Sequence, residues 1–227
     1  MAISVDTVYQ KVLALANKEQ IGYITPQEFN LFADQAQMEI LEQYFYDINQ
    51  FGRIPGNDTE YSDMLRLLDE KLAILKKSST ETVTNGVLAL SSNVYKLGSI
   101  YHDSGAKLEE INYNEHKLRN LSSLTKPTLK RPIYVNQNGK INIYPNTITS
   151  VFISYVKKPL KPNWGYVVVN DKPLYNSTSS TDFELHPTEE PELVYRILVF
   201  AGIAIEKPQL SQMAGGLGGA QIQQEKQ

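Results

Sequence analysis

The chain has 227 residues, 41% hydrophobic and 21% charged, which is the composition of a globular protein with one large domain or two small ones. The absence of cysteine excludes disulfides, thiolate metal ligands and cysteine nucleophiles, and no apolar run approaches the roughly 20 residues of a membrane span, so no membrane partner is expected. The net charge of −3 predicts no global field that would draw the chain onto nucleic acid.

Two helices are predicted at the N-terminal end. Apolar residues recur at helical spacing over residues 5–17, which indicates the first. Thr25 is a suitable N-cap for the second, Pro26 fits its first position, and Glu28 completes a capping box. This helix is expected to continue to about residue 50, where Gly52 ends it.

The second helix is apolar over about twice the arc of roughly 100° that a surface helix buries, so it should be covered from two directions. Its polar stripe is narrow (Gln35, Glu39, Glu42, Tyr46 and Asn49). One apolar side contains Phe29, Phe32, Ala33, Ala36, Ile40 and Tyr44. The other is the candidate subunit interface and contains Leu31, Met38, Leu41, Phe45 and Ile48. Either helices of the same subunit cover both sides, or a neighbouring subunit covers one.

A third helix is predicted from Asp58 or Thr59 to about Lys77, with leucines on one face and lysines in its last turn. Residues 1–78 therefore form an expected three-helix unit.

From residue 79 to 187 the pattern changes to short strands and turns. Asn85-Gly86 and Asn138-Gly139 are hairpin dipeptides, and a third turn is expected at residues 103–105. Residues 112–124 are predicted to form a short helix, with leucines at 118, 121 and 124 on one face. Residues 151–156 are predicted to form a strand that is largely buried on both faces.

Residues 188–207 predict a buried core helix that packs back on the N-terminal helices. Acidic residues crowd its first turn, where the helix dipole favours them. Residues 208–227 are rich in glycine and glutamine and cannot build a core. This tail is either a frayed end or a segment that orders on a partner, with Leu210, Met213, Leu217 and Ile222 as its anchors.

No set of residues with catalytic or metal-binding spacing is found. The three histidines (His102, His116 and His186) lack a partner in any recognised metal pattern, and no hydrolase, phosphate-binding or dinucleotide motif is present. We therefore expect no enzyme activity, no cofactor and no metal.

Two basic clusters and many tyrosines remain as candidate contact residues. Lys126, Lys130 and Arg131 form one cluster, and Lys157, Lys158 and Lys161 form the other. They are either solvated loops or, if they share one rim, a surface facing a DNA backbone. The 14 tyrosines suit either protein interfaces or a carbohydrate-binding surface.

Two segments carry a family resemblance. ITPQEFNLFADQAQMEILEQYF resembles an N-terminal segment of virion proteins in crAss-like, short-tailed Bacteroidetes phages. PNWGYVVVNDKPLYNSTSSTDFELHPTEEPELVYRILVFAGIAIEKPQL is similar to the C-terminal segment of the same proteins. Together these segments cover about 70 residues at opposite ends of the chain, and the middle fits only as a generic pattern.

The resemblance implies an α+β structural protein of the virion, located in the tail or collar at the portal vertex. Such a protein is expected to form a closed ring, twelve-fold by analogy, that joins the portal to other tail and ring proteins and leaves a channel for DNA. The rival hypothesis is a carbohydrate- or receptor-binding module of the virion.

Overall fold

A computed structural model describes residues 2–18, 24–52 and 64–204, together with 215–217, 219–220 and 223. The chain divides into two compact units. The helical unit contains residues 1–74 and 159–227, and the β unit contains residues 75–158. The β-rich region that the sequence suggested for residues 79–187 is therefore divided at residue 158. The α+β fold class is confirmed.

The described helices agree best with the sequence at the N-terminal end. The second helix has the predicted capping box, in which the Thr25 hydroxyl accepts from the Glu28 amide at 3.3 Å and the Glu28 carboxylate accepts from the Thr25 amide at 2.9 Å. Gly52 is its C-cap. The bounds are α1 Val5–Lys18, α2 Pro26–Phe51, α3 Met64–Ala73, α4 Tyr113–Arg119 and α5 Glu190–Ala204.

Two helix ends were predicted wrongly. The third helix ends at Ala73, because Lys76 and Lys77 belong to the first strand, where both pair with β7. Its predicted start lies outside the described residues. The fourth helix ends at Arg119, since the Thr125 hydroxyl donates to the Arg119 carbonyl at 2.8 Å and a turn follows.

In the described residues, nine strands form three sheets. The orders are β1-β7-β3, β2-β6-β5-β4 and β8-β9, and every pairing is antiparallel except the short parallel pair β4–β5. The bounds are β1 Lys76–Thr82, β2 Val87–Leu88, β3 Val94–His102, β4 Glu109–Glu110, β5 Ile133–Gln137, β6 Lys140–Tyr144, β7 Ser150–Lys157, β8 Tyr166–Val169 and β9 Lys172–Tyr175.

The first two sheets share the core of the β unit. Alternate residues of β7, Val151 and Ile153, are buried, whereas Phe152 between them is 42% exposed. The prediction that this strand is buried on both faces was therefore wrong, because only one face of its sheet is covered. The core cluster contains Val83, Leu88, Ile100, Leu108, Tyr134, Ile141, Ile143, Ile148, Val151 and Ile153.

The predicted turns form, but one of them does not make the predicted hairpin. Asn85 and Gly86 have φ of 52° and 77°, and Thr84 and Val87 exchange backbone hydrogen bonds across them. Instead of continuing as a ladder, the flanking strands separate, with β1 pairing with β7 and β2 pairing with β6. The Asn138-Gly139 turn does join β5 to β6 as predicted.

The helical unit has its own core. α5 packs against both α1 and α2, which confirms that the C-terminal helix returns to the N-terminal helices. The chain near the N-terminus joins this core through Ile3, which pairs with Phe183 in an isolated bridge. The hairpin β8–β9 also belongs to this unit.

Candidate interaction surfaces

The predicted interface side of α2 is only partly available to a neighbour. Leu31 is 62% exposed, and Met38, Phe45 and Ile48 are half-buried. Leu41 is fully buried at 0% exposure, so its assignment to a subunit interface was wrong. The reason is that α2 packs against both α3 and α5, which close more of its circumference than one apolar side.

Two polar residues of α2 were not recognised from the sequence. The buried Gln37 amide donates to the Leu160 carbonyl at 2.9 Å and accepts from the Glu184 amide at 3.0 Å. Asn30 accepts from the Trp164 amide at 2.7 Å. The helix therefore holds distant chain segments through hydrogen bonds that no helical periodicity reveals.

Two acidic residues, one just before α5 and one in its first turn, are buried. Glu189 is 1% exposed and forms an ion pair with Lys71 at 2.6 Å. Glu192 is 5% exposed and pairs with Arg196 at 2.6 Å. Because each carboxylate has a cation beside it, we assign both pairs a structural role.

Of the proposed tail anchors, only Leu217 is described, and it is 53% exposed. Leu210, Met213 and Ile222 lie outside the described residues.

The structure divides one of the two predicted basic clusters between the two units. Lys157 and Lys158 lie at the end of β7 in the β unit, whereas Lys161 belongs to the helical unit and lies 3.6 Å from Asp34. Strand pairing places other lysines near Lys157, since Lys76 and Lys96 both lie opposite its neighbour Val156. The resulting lysine cluster at this end of the sheet contains Lys76, Lys77, Lys96, Lys157 and Lys158.

Lys126, Lys130 and Arg131 lie on an exposed segment of the β unit, residues 118–131, which we name the leucine loop. Four of its side chains are large, apolar and exposed, namely Leu118 at 67%, Leu121 at 84%, Leu124 at 82% and Leu129 at 48%. Within the described part of the chain, the three basic side chains form no ion pair. Large apolar side chains that are exposed close together in the chain make this segment a candidate interaction surface.

The leucine loop has an ordered base. Arg119 donates to the Glu109 carboxylate at 2.8 and 3.0 Å and to Glu115 at 2.6 Å. These hydrogen bonds lower the pKa of Glu109 and raise that of Arg119. Farther along, the Lys126 amide donates a hydrogen bond to the Ser122 carbonyl, and the Arg131 amide donates one to the Thr128 carbonyl, both at 3.0 Å. The leucines therefore project from a hydrogen-bonded loop.

His116 supports the same loop from inside the β unit. It is 6% exposed, and its ring stacks on Tyr144 with a centroid distance of 3.9 Å. Burial and, secondarily, the charge of Lys117 lower the pKa of His116. The Asn120 side-chain nitrogen lies 2.8 Å from His116 Nε2, an arrangement that suits the neutral ring.

The hairpin β8–β9 borders an open cleft of about 790 Å³ in the helical unit. Trp164 is buried there between aromatic neighbours, with centroid distances of 4.4 Å to Tyr9, 5.9 Å to Tyr166 and 5.8 Å to Tyr175. The hairpin itself exposes Val167, Val168, Val169 and Leu174 by 51, 60, 46 and 53%. Polar groups from Gln10, Gln27, Asp171 and Lys172 complete the lining.

The histidines do not assemble a catalytic set in the part of the chain that the structure describes. His102 Nδ1 lies 2.8 Å from Ser104 Oγ within one turn, but the adjacent Asp103 contacts Ser150 instead of the imidazole. His186 caps the short 3₁₀ turn before α5. Among the described residues, no group of three or more histidines and carboxylates could hold a metal ion.

Comparison with known protein families and with curated proteins finds no match. None of the helices in the described segments is long and apolar enough to cross a membrane.

The charge of the chain is divided between its two units. By sequence, the β unit has twelve lysines and arginines against five aspartates and glutamates, which gives +7. The helical unit has ten against twenty, which gives −10. Between Glu115 and Asp171 the sequence contains no acidic residue. The net charge of −3 therefore conceals one cationic and one anionic unit, and the expectation of a weak field holds only for the chain as a whole.

Each unit exposes large apolar side chains, and the two units have opposite charge. Contact between unlike surfaces of identical chains is the heterologous kind, which generates rings or filaments, and opposite charge favours such contact.

Proposed function

We propose that this protein is a structural component of a phage virion, without enzymatic activity. It assembles as a closed ring, expected to be a dodecamer, in the connector at the portal vertex. There it joins the portal to the other ring and tail proteins and leaves a channel for DNA. The family resemblance of the two terminal segments supports this role.

The observation that carries the proposal is the opposite charge of two units that both expose apolar side chains. A ring subunit needs two different lateral surfaces that fit each other. Opposite charges steer unlike surfaces together and oppose the contact of like surfaces, so they favour head-to-tail contact. The cationic β unit also offers lysines for weak contact with a DNA backbone in the channel.

The test is the mass and shape of the purified full chain. We expect light scattering coupled to size exclusion to show concentration-dependent oligomers at low salt, and negative-stain images to show closed rings. At 1 M salt, where the Debye length is about 3 Å, the oligomers should dissociate at low protein concentration. A chain that remains monomeric at every concentration and salt, and with purified portal protein, would contradict the proposal.

A carbohydrate-binding role is the second candidate, and the aromatic cleft beside β8–β9 favours it. Tyr175 is 40% exposed at the edge of this cleft, where a sugar ring can stack on its face. A glycan array with the unmodified chain and with Tyr175→Ala tests this role. Saturable binding that the substitution abolishes would favour a receptor-binding module, particularly if the protein is a monomer.

A further inference from the structure

We infer that the leucine loop of one copy docks on the exposed side of α2 in the next copy. This inference rests on the proposed ring, and it names the two surfaces that meet. The surface on α2, which we name the outer face, has helical spacing of three or four residues and consists of Leu31, Asp34, Met38, Glu42 and Tyr46.

The two surfaces have complementary charge. α2 contains five carboxylates and no lysine or arginine. The leucine loop contains four cations and no acid, and the charges of Lys126, Lys130 and Arg131 are not paired within the described residues. Part of the charge of α2 is already engaged, because Asp34 lies 3.6 Å from Lys161 and Glu39 lies 3.2 Å from Arg196. The helical unit as a whole has a net charge of −10 by sequence, which attracts an approaching cationic loop.

Their apolar groups also correspond. Leu31 and Tyr46 on the outer face are 62% and 63% exposed, and Met38 between them is half-buried. These side chains succeed one another at intervals of roughly 11 Å along the helix axis. Docking would cover them with the loop leucines, of which Leu121 and Leu124 are the most exposed.

The leucines favour a protein surface over a nucleic acid as the occupant. A DNA backbone is bound through cations and polar groups, and such a contact gives exposed leucines nothing to bury against. A protein interface instead combines an apolar centre with a charged rim. The leucine loop has both parts, with leucines flanked by Lys126, Lys130 and Arg131.

Cysteine cross-linking tests the contact directly, because the chain contains no cysteine of its own. The full-length variants Leu124→Cys and Leu31→Cys are mixed and treated with a short bismaleimide. We expect covalent dimers in this mixture and few in either variant alone. The matched control mixes Leu31→Cys with Val168→Cys, since Val168 is 60% exposed on the hairpin. Equal yields in both mixtures would overturn the inference.

A second measurement tests whether the contact contributes to assembly. The double variant Leu121→Ser/Leu124→Ser should weaken self-association by about tenfold or more, as expected for central apolar contacts. The hairpin variant Val167→Ser/Val168→Ser should assemble as the unmodified chain does. Circular dichroism checks that both variants are folded. We expect that they are, because the substituted side chains are exposed.

The outcomes separate the inference from the proposed function. Rings that persist in the loop variant, without specific cross-linking, would overturn the docking contact and leave the ring intact. A chain that never oligomerises would overturn both. If the variant Lys126→Gln/Lys130→Gln/Arg131→Gln loses salt-dependent binding to duplex DNA but assembles normally, the loop is a DNA contact and the inference fails.

Discussion

The helical unit and the β unit differ in charge and in the way their sequences specify them. The helical unit is anionic, and its longest helix is set by local signals: a capping box at Thr25 and Glu28 and a terminal Gly52. The β unit is cationic, and its sheets depend on pairings such as β1 with β7, whose partners lie 68 to 80 residues apart in sequence. The comparison teaches that a nearly neutral net charge can conceal two strongly charged surfaces.

The largest expected effect tests whether the two units unfold separately. Phe29→Ala and Ile141→Ala each remove a side chain with 0% exposure, one from each unit, and should cost about 3–5 kcal/mol in the affected unit. The only tryptophan, Trp164, belongs to the helical unit. In urea, its fluorescence midpoint should therefore move with Phe29→Ala and stay in place with Ile141→Ala. Equal shifts would mean that the two units unfold as one.

A smaller effect tests the hydrogen bonds that organise the helical unit. Gln37→Ala leaves the Leu160 carbonyl and the Glu184 amide without their buried partner, which should cost about 2 kcal/mol. The same urea titration measures the loss. Gln35→Ala is the matched control on the exposed side of α2, and its effect should stay within about 0.5 kcal/mol. Equal losses for the two variants would show that the Gln37 hydrogen bonds contribute nothing net.

The next effect concerns the turns of the β unit, whose stability should depend on glycines with positive φ. The longest helix of the helical unit depends instead on its caps. Gly139 has φ of 69°, and a Cβ at this position would meet no atom within 4 Å, so Gly139→Ala isolates the backbone strain. We expect a loss of about 1 kcal/mol, measured by circular dichroism during thermal unfolding. Gly86→Ala should cost more, since its Cβ would lie 2.7 Å from Asn146 Oδ1. A larger loss for Gly139→Ala than for Gly86→Ala would contradict this prediction, since both glycines have positive φ and only Gly86 adds a steric clash.

The smallest effect is a pH dependence confined to the β unit. Since burial lowers the pKa of His116 from its usual 6.5, the unfolded chain binds a proton more readily than the folded one. The contribution of neutral His116 to the stability of the fold is fully present above pH 6.5, and it is lost as the pH falls through the lowered pKa of the folded state. His116→Phe keeps a ring against Tyr144 and should remove this dependence in urea titrations between pH 5 and pH 8. His102→Gln, at the half-buried end of β3, should retain it.

The sequence alone predicted what neighbouring residues decide. The capping box, the end of α2 at Gly52 and the turns at Asn85-Gly86 and Asn138-Gly139 were all correct, since each depends on a few adjacent residues. The fold class followed from the change in hydrophobic period along the chain. The basic residues of the leucine loop were also identified as a cluster, although the exposure of the leucines among them was not anticipated.

Tertiary structure decided which surfaces these elements make. Periodicity placed Leu41 on the candidate subunit interface of α2, yet packing of α3 and α5 around this helix buries Leu41 completely. Lys76 and Lys77 were assigned to a helix end, whereas pairing with β7 places them at one end of a sheet. Both errors have the same physical reason: burial and strand register depend on residues far away in the chain, and a local pattern contains no information about them.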